Sequence, residues 1–346
     1  MVLCGNALGL TRSLTKISRP SNRSFILLAS PRLASIVIMA SQPSPPRSPL
    51  KILMLHGYTQ SGPLFRAKTR ALEKHIQKSF PLHSVSLSYP TGPLALSPAD
   101  IPDFQPPSTS DTGNEQPETF AWWRRSNTAN PPEYVGLDKG LDAIARVLAE
   151  EGPFDGVIGF SQGAAFAAMV ASLLEPSRRE SFEYFTETAN NPLTTITTTT
   201  TANAAGESIT GIAFPQSFQS LTHPPLRFAI CYSGFIAPGP RYRAFYERPR
   251  IQTPVLHVLG SLDVIVEEER SRALIGACEG DAEKDGKVIW HPGGHFLPSQ
   301  RPYLDGVVRF VRGCLERSGV GQTEGQAEGS AEGSAEGSAE EMEVPF

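Results

Sequence analysis

The sequence predicts an α/β fold, a doubly wound and mostly parallel sheet flanked by helices, in a single domain over residues 50–316. Three observations predict it. Short runs rich in Val, Ile and Leu recur along the chain, helical periodicity falls between them, and the runs are apolar at successive positions. Strands covered by helices on both faces have this character.

In chain order, the runs at 51–56, 84–89, 155–160, 227–233, 255–260 and 287–291 read as strands. Helical spacing occupies 64–77, 137–150, 162–175, 267–278 and 303–316. Only residues 155–175 pass from strand to helix with almost no loop, so chemistry is sought first at that junction.

Composition excludes several classes. A formal net charge of −4 without a long Lys/Arg stripe excludes a surface made for nucleic acid, which needs clustered positive charge. Cys4, Cys231, Cys278 and Cys314 stand far apart with no adjacent His cluster. Neither a zinc site nor a disulfide framework is suggested, and a reducing compartment is expected. No apolar run reaches the ~20 residues that cross a bilayer, so a soluble protein without a membrane span is expected.

Outside the repeating pattern, residues 1–49 form a leader carrying Arg12, Lys16, Arg19, Arg23 and Arg32, with no acid before Glu73. That is the composition of a mitochondrial transit peptide. Met39 opens an equally acceptable disordered start, so 1–38 reads either as targeting or as an upstream extension. A cytoplasmic location is expected, with mitochondria the alternative if 1–38 directs import. Residues 317–346, with their Ala-Glu-Gly-Ser repeats, read as a disordered acidic tail. Residues 186–225, which include a Thr-rich run, read as an inserted surface loop, and 90–132 as a lid-like loop over the site.

The junction holds Gly159-Phe160-Ser161-Gln162-Gly163 between an apolar strand and the helix that opens Ala164-Ala165-Phe166. A G-x-S-x-G sequence in this setting is a nucleophile elbow: the serine sits on a sharp turn, and the helix N-terminus faces a developing oxyanion. A serine hydroxyl is a weak nucleophile and needs a base. In the chain order of α/β-hydrolases the acid follows the nucleophile and the histidine comes last. Asp263, just past the strand at 255–260, fits the acid; its plainer alternative is a helix N-cap for a segment beginning near Val266. His291-Pro292-Gly293-Gly294-His295 offers two bases. His295 is preferred because the Pro-Gly-Gly turn can return its side chain over the sheet edge. His56 reads as a holder of backbone groups, and His75 and His83 as structural. The oxyanion donors should be the backbone N–H groups of Tyr58, in the loop after the first strand, and Gln162. Trp122 and Trp123 stand evenly between lining a substrate pocket and pinning a long loop to the core.

Leu-His-Gly-Tyr-Thr-Gln-Ser-Gly at 55–62, Phe-Asp-Gly-Val-Ile-Gly-Phe-Ser-Gln-Gly at 154–163 and His-Pro-Gly-Gly-His at 291–295 resemble the fungal FSH serine hydrolases. That family is similar to the ovarian-cancer-associated-protein-2 esterases, within the α/β-hydrolase superfamily, and the resemblance covers about 50–316. It implies ester or thioester hydrolysis without metal or organic cofactor, on a small-molecule or carrier-bound acyl substrate. It also implies nucleophile, acid and base at Ser161, Asp263 and His295, and a location that extends to the nucleus. The Thr-rich insertion departs from the family pattern. An acyltransferase on the same site, and a catalytically silent ligand-binding or scaffold protein, are the alternatives. Acyl chain, leaving group, pathway and oligomeric state are not written in the sequence.

Overall fold

The computed structural model describes residues 47–101, 119–187 and 210–327, with side chains described as far as 317. Six strands make one sheet: β1 (Ser48–Leu55), β2 (His83–Ser88), β7 (Gly156–Phe160), β8 (Phe228–Tyr232), β9 (Val255–Gly260) and β10 (Val288–His291). Every pairing is parallel, in the order β10-β9-β8-β7-β1-β2. Each strand lies within two or three residues of its expected place.

Alternation along β1 divides the core. Leu50, Ile52 and Met54 face one cluster with Phe65, Ile76 and Val307, while Leu53 and Leu55 face the other with Ile144 and Phe166. The first layer is supplied by α1 (Gly62–Lys68), α2 (Arg70–Ser79) and α8 (Arg301–Ala327); the second by α3 (Leu137–Glu151) and α4 (Gln162–Leu173). Every residue of α4 is buried, which suits its Ala-rich sequence with apolar residues all round. Strand order reverses at β1, with β2 added on one side and β7 to β10 on the other, so the carboxyl ends of the parallel neighbours β1 and β7 form the switch point at which open sheets bind ligands.

Several expectations are corrected. The helix expected over 64–77 is two helices, because Thr69 closes α1 and opens α2, its hydroxyl donating to the Phe65 carbonyl at 2.9 Å. The segment 90–132 is bolted down at both described ends. There β3 (Leu94–Ala95) pairs with β4 (Phe120–Ala121), and β5 (Arg124–Arg125) with β6 (Tyr134–Val135). Residues 102–118 lie outside the described residues.

The insertion at 186–225 begins within α5 (Arg178–Glu187) and returns through α6 (Gln216–Gln219). Phe218 is buried and the Phe214 ring meets Phe182 edge-on at 5.3 Å, so these flanks belong to the core. The Thr-rich run lies outside the described residues, as do the leader to residue 46 and the tail from 328. α8 continues to Ala327, past the expected end at 316, because extending a formed helix costs far less than nucleating one. α7 (Glu268–Gly276) starts two residues beyond the place where Asp263 would cap a helix beginning at Val266.

Candidate active site

Ser161 follows the last residue of β7 and precedes the first of α4, with φ 53° and ψ −116°. A positive φ on a residue with a side chain is strained, and such strain is held only where the surroundings enforce it. They do so here. The Ser161 N–H donates to the Tyr232 carbonyl at 2.8 Å, and the Ser161 carbonyl accepts from Ala164 and Ala165 at 2.9 and 3.0 Å.

The two glycines of the motif serve close approach, and the strained φ falls on the serine itself. A Cβ on Gly159 would stand 2.1 Å from the Gly163 carbonyl oxygen, and one on Gly163 would stand 2.1 Å from that of Leu55. Helix α4 therefore comes against the end of β1, bringing the loop after β1 beside the serine.

That loop is tied down by His56, which is fully buried. Its Nδ1 and the Gly57 carbonyl are 2.8 Å apart, and its Nε2 accepts the Gly92 N–H at 2.8 Å. Burial pushes this imidazole down to about 4, against the weaker upward pull of the Gly57 carbonyl. A neutral ring bonded at both nitrogens holds backbone and has none left for chemistry. Gln162 adds a second tie: its side-chain amide accepts the Trp122 N–H at 2.9 Å and donates to the Trp123 carbonyl at 2.8 Å. The Trp122 indole N–H donates to the His56 carbonyl at 2.9 Å. Both tryptophans are buried, Trp122 tilted against Phe166 and Trp123 stacked on Tyr134, and neither lines the cavity at Ser161. The structure thus corrects a substrate-lining role for Trp122 and Trp123: they pin the 119–135 segment to the core.

Asp263 lies in the loop after β9, its carboxylate nearly enclosed. Oδ1 accepts the N–H groups of Ile265 and Val266 at 3.0 and 2.9 Å, while Oδ2 accepts the Ser233 hydroxyl at 2.7 Å and lies 2.8 Å from Nδ1 of His295. Burial pushes this carboxyl up, but the Val266 N–H, His295 and Ser233 together outweigh it and hold it below its usual value. One oxygen thus makes the turn contacts of a cap and the other meets the histidine. His291, the rival base, is buried on β10 with its ring against Phe296 and Tyr303, and it does not reach the cavity. His75 pairs with Asp305 at 2.8 Å, and His83 packs edge-on against Phe80.

Ser161 and His295 line one open cavity of about 530 Å³ with Tyr58, and Phe160 lies 4.8 Å from the His295 ring. Gln162 is the first residue of α4, where a backbone N–H has no acceptor within the helix. Ile265 and Phe296, both exposed, form an apolar side of the mouth. A thiol and an imidazole meet elsewhere, with Cys278 Sγ 3.8 Å from His257 Nε2. Burial pushes that thiol up to about 12 and that imidazole down to about 4, which leaves the pair inert. Among the described residues no cluster of His, Cys, Asp or Glu could hold a metal ion, and no helix is long and apolar enough to cross a membrane.

The serine hydrolase family FSH1 matches residues 46–307. The chain belongs to that family. It is 32% identical over 273 residues to the esterase OVCA2 of Danio rerio, covering 76% of this chain and 98% of that protein. To family of serine hydrolases 2 of Saccharomyces cerevisiae it is 30% identical over 263 residues, 75% of this chain and 97% of the yeast protein. A Schizosaccharomyces pombe protein named dihydrofolate reductase is 31% identical over 266 residues, 76% of this chain but only 47% of that protein. Among solved structures, the acyl-protein thioesterase 2 of Zea mays is similar at 18% identity and a TM-score of 0.45, covering 79% of this chain and 97% of that one.

Sequence reasoning passed over two site residues. Gln162 was valued for its N–H alone, although its side chain ties the site to Trp122 and Trp123. Ser233 was not singled out at all; its only signal is a hydroxyl immediately past the apolar run of β8.

Proposed function

We propose that this member of the serine hydrolase family cleaves a carboxylic ester or thioester through an acyl-enzyme on Ser161. The observation that carries the reading is the 2.8 Å contact of His295 Nδ1 with Asp263 Oδ2. With Nδ1 engaged by the carboxylate, Nε2 is the nitrogen left to act, on a ring that shares its cavity with Ser161.

Ser161 Oγ attacks the carbonyl carbon while its proton passes to His295 Nε2. The oxyanion is held by the N–H groups of Tyr58 and Gln162. Collapse of the tetrahedral intermediate expels the alcohol or thiol, which takes the proton from His295. Water, deprotonated by the same nitrogen, then attacks the acyl-enzyme; the second tetrahedral intermediate expels Ser161 Oγ, which takes the proton back from His295, and the carboxylic acid leaves. Ile265 and Phe296 favour an apolar acyl group at the mouth.

The test is labelling with a fluorophosphonate, together with turnover of p-nitrophenyl esters and acyl thioesters of increasing chain length. Wild type should label and turn over. Ser161→Ala should do neither, losing about four powers of ten or more in rate while keeping its thermal midpoint. Wild-type turnover by Ser161→Ala refutes the reading; labelling without hydrolysis of any member of the panel directs it to acyl transfer.

A further inference from the structure

Three residues bearing side chains adopt positive φ at the carboxyl ends of neighbouring central strands: Thr59 after β1, Ser161 after β7 and Ser233 after β8. The nucleophile accounts for the second. Ser233, at φ 49° and almost completely buried, is the third. Glycine would take that backbone without strain, so a serine kept there points to a use for the hydroxyl.

The hydroxyl donates to Asp263 Oδ2 at 2.7 Å, on the same oxygen that meets His295 Nδ1 at 2.8 Å. The Ser233 N–H donates to the Val258 carbonyl at 2.9 Å, fixing the serine against β9, the strand whose loop carries Asp263. The last torsion of an aspartate has a broad, shallow profile, so the carboxylate plane is set by its donors. Two backbone N–H groups hold Oδ1, but a single imidazole that must gain and lose charge in each cycle is a poor anchor for Oδ2. Ser233 does not line the cavity, so it reaches substrate only through Asp263.

We propose that Ser233 is a positioning residue that holds the Asp263 carboxylate in the plane from which it orients His295. The proposal rests on the triad reading above. With the hydroxyl present, Oδ2 keeps its place when the imidazole swings or is protonated. Without it, the carboxylate turns about its last torsion and His295 loses its aim at Ser161.

The experiment compares Ser233→Gly, Asp263→Asn and the double variant in kcat, KM and thermal midpoint. Glycine relieves the backbone strain, so Ser233→Gly should fold with an unchanged or higher midpoint. Its kcat should fall about tenfold to a hundredfold with KM within about twofold, the scale of a hydrogen bond to a charged group. In the Asp263→Asn background the same change should cost nothing further, because the carboxylate it positions is gone. The downfield resonance of the His295 Nδ1 proton should move in Ser233→Gly, a readout independent of turnover. Wild-type kcat in Ser233→Gly overturns the proposal while leaving the triad standing, and so does a loss that adds in full to that of Asp263→Asn. Full activity in Asp263→Asn overturns both.

Discussion

Replacing Asp263 by Asn separates two roles that one carboxylate combines. Oδ1 receives the N–H groups of Ile265 and Val266, and only an oxygen can accept them. The asparagine amide must therefore place its oxygen there, which turns its NH2 toward the position of Oδ2, facing the Ser233 hydroxyl and His295 Nδ1. Two donors then meet. His295 relieves the clash by carrying its proton on Nε2 and presenting Nδ1 as acceptor, the tautomer that cannot take a proton from Ser161. The turn keeps both contacts and the fold is retained, but the base is lost. A loss of about four powers of ten in kcat is expected, about 5.5 kcal/mol of transition-state stabilisation. The assay is kcat/KM on a short p-nitrophenyl ester, with the rate of fluorophosphonate labelling as a measure of serine activation and circular dichroism as the check on folding. If Asp263 serves only the turn, asparagine serves it equally well. Wild-type kcat/KM in the folded variant would refute the reasoning.

Acid should weaken the fold through two buried imidazoles. His56 and His257 are both pushed down to about 4 from 6.5, chiefly by burial, so the unfolded chain binds protons that the folded chain refuses. Their contribution is complete above the unfolded value near 6.5 and declines as pH falls toward about 4, by roughly 3 kcal/mol for each. Urea midpoints at about pH 7 and pH 4.5 should show this loss, and His257→Leu should lose less than wild type over that interval; equal losses would remove His257 from the account. Gly163→Ala should fail to form the site, because its Cβ would stand 2.1 Å from the Leu55 carbonyl oxygen, and backbone there cannot yield for the ~1–3 kcal/mol of ordinary overpacking. Gly276→Ala, where a Cβ meets nothing within 4 Å, is the matched control and should keep wild-type activity and midpoint. A Gly163→Ala enzyme that labels at the wild-type rate would show that α4 need not approach β1 so closely.

Much of the fold was legible because it rests on local pattern. The runs that became β7, β8 and β9 are buried on both faces, and continuous apolar sequence is the direct trace of that burial. The break at Thr69 was hidden because the apolar spacing runs through it; the reason lies in a hydroxyl bonded to the Phe65 carbonyl and to Tyr89, a partner twenty residues away. The even choice over Trp122 and Trp123 had a related cause: they are claimed by Phe166, Tyr134 and the side chain of Gln162, contacts between segments that no local window can contain, while Ile101 of the same 90–132 segment lines the cavity at Ser161.

The site shows the same division. Ser161 announces itself through a motif because an elbow needs glycine on both sides of the serine, where any Cβ would strike backbone. The acid has no such local requirement. Any loop can carry an aspartate, and Asp263 does make the cap-like contacts of its plainer alternative, so sequence could not separate a turn residue from an orienting one. What separates them is that a carboxylate has two oxygens. The turn uses one; the other is shared between His295 and a serine from the neighbouring strand end, held at a backbone angle that glycine would take more cheaply. On the proposed reading the role of Asp263 lies in the meeting of two strand ends thirty residues apart, and Ser233, whose hydroxyl makes that contact, is the residue that a reading along the chain is least able to find.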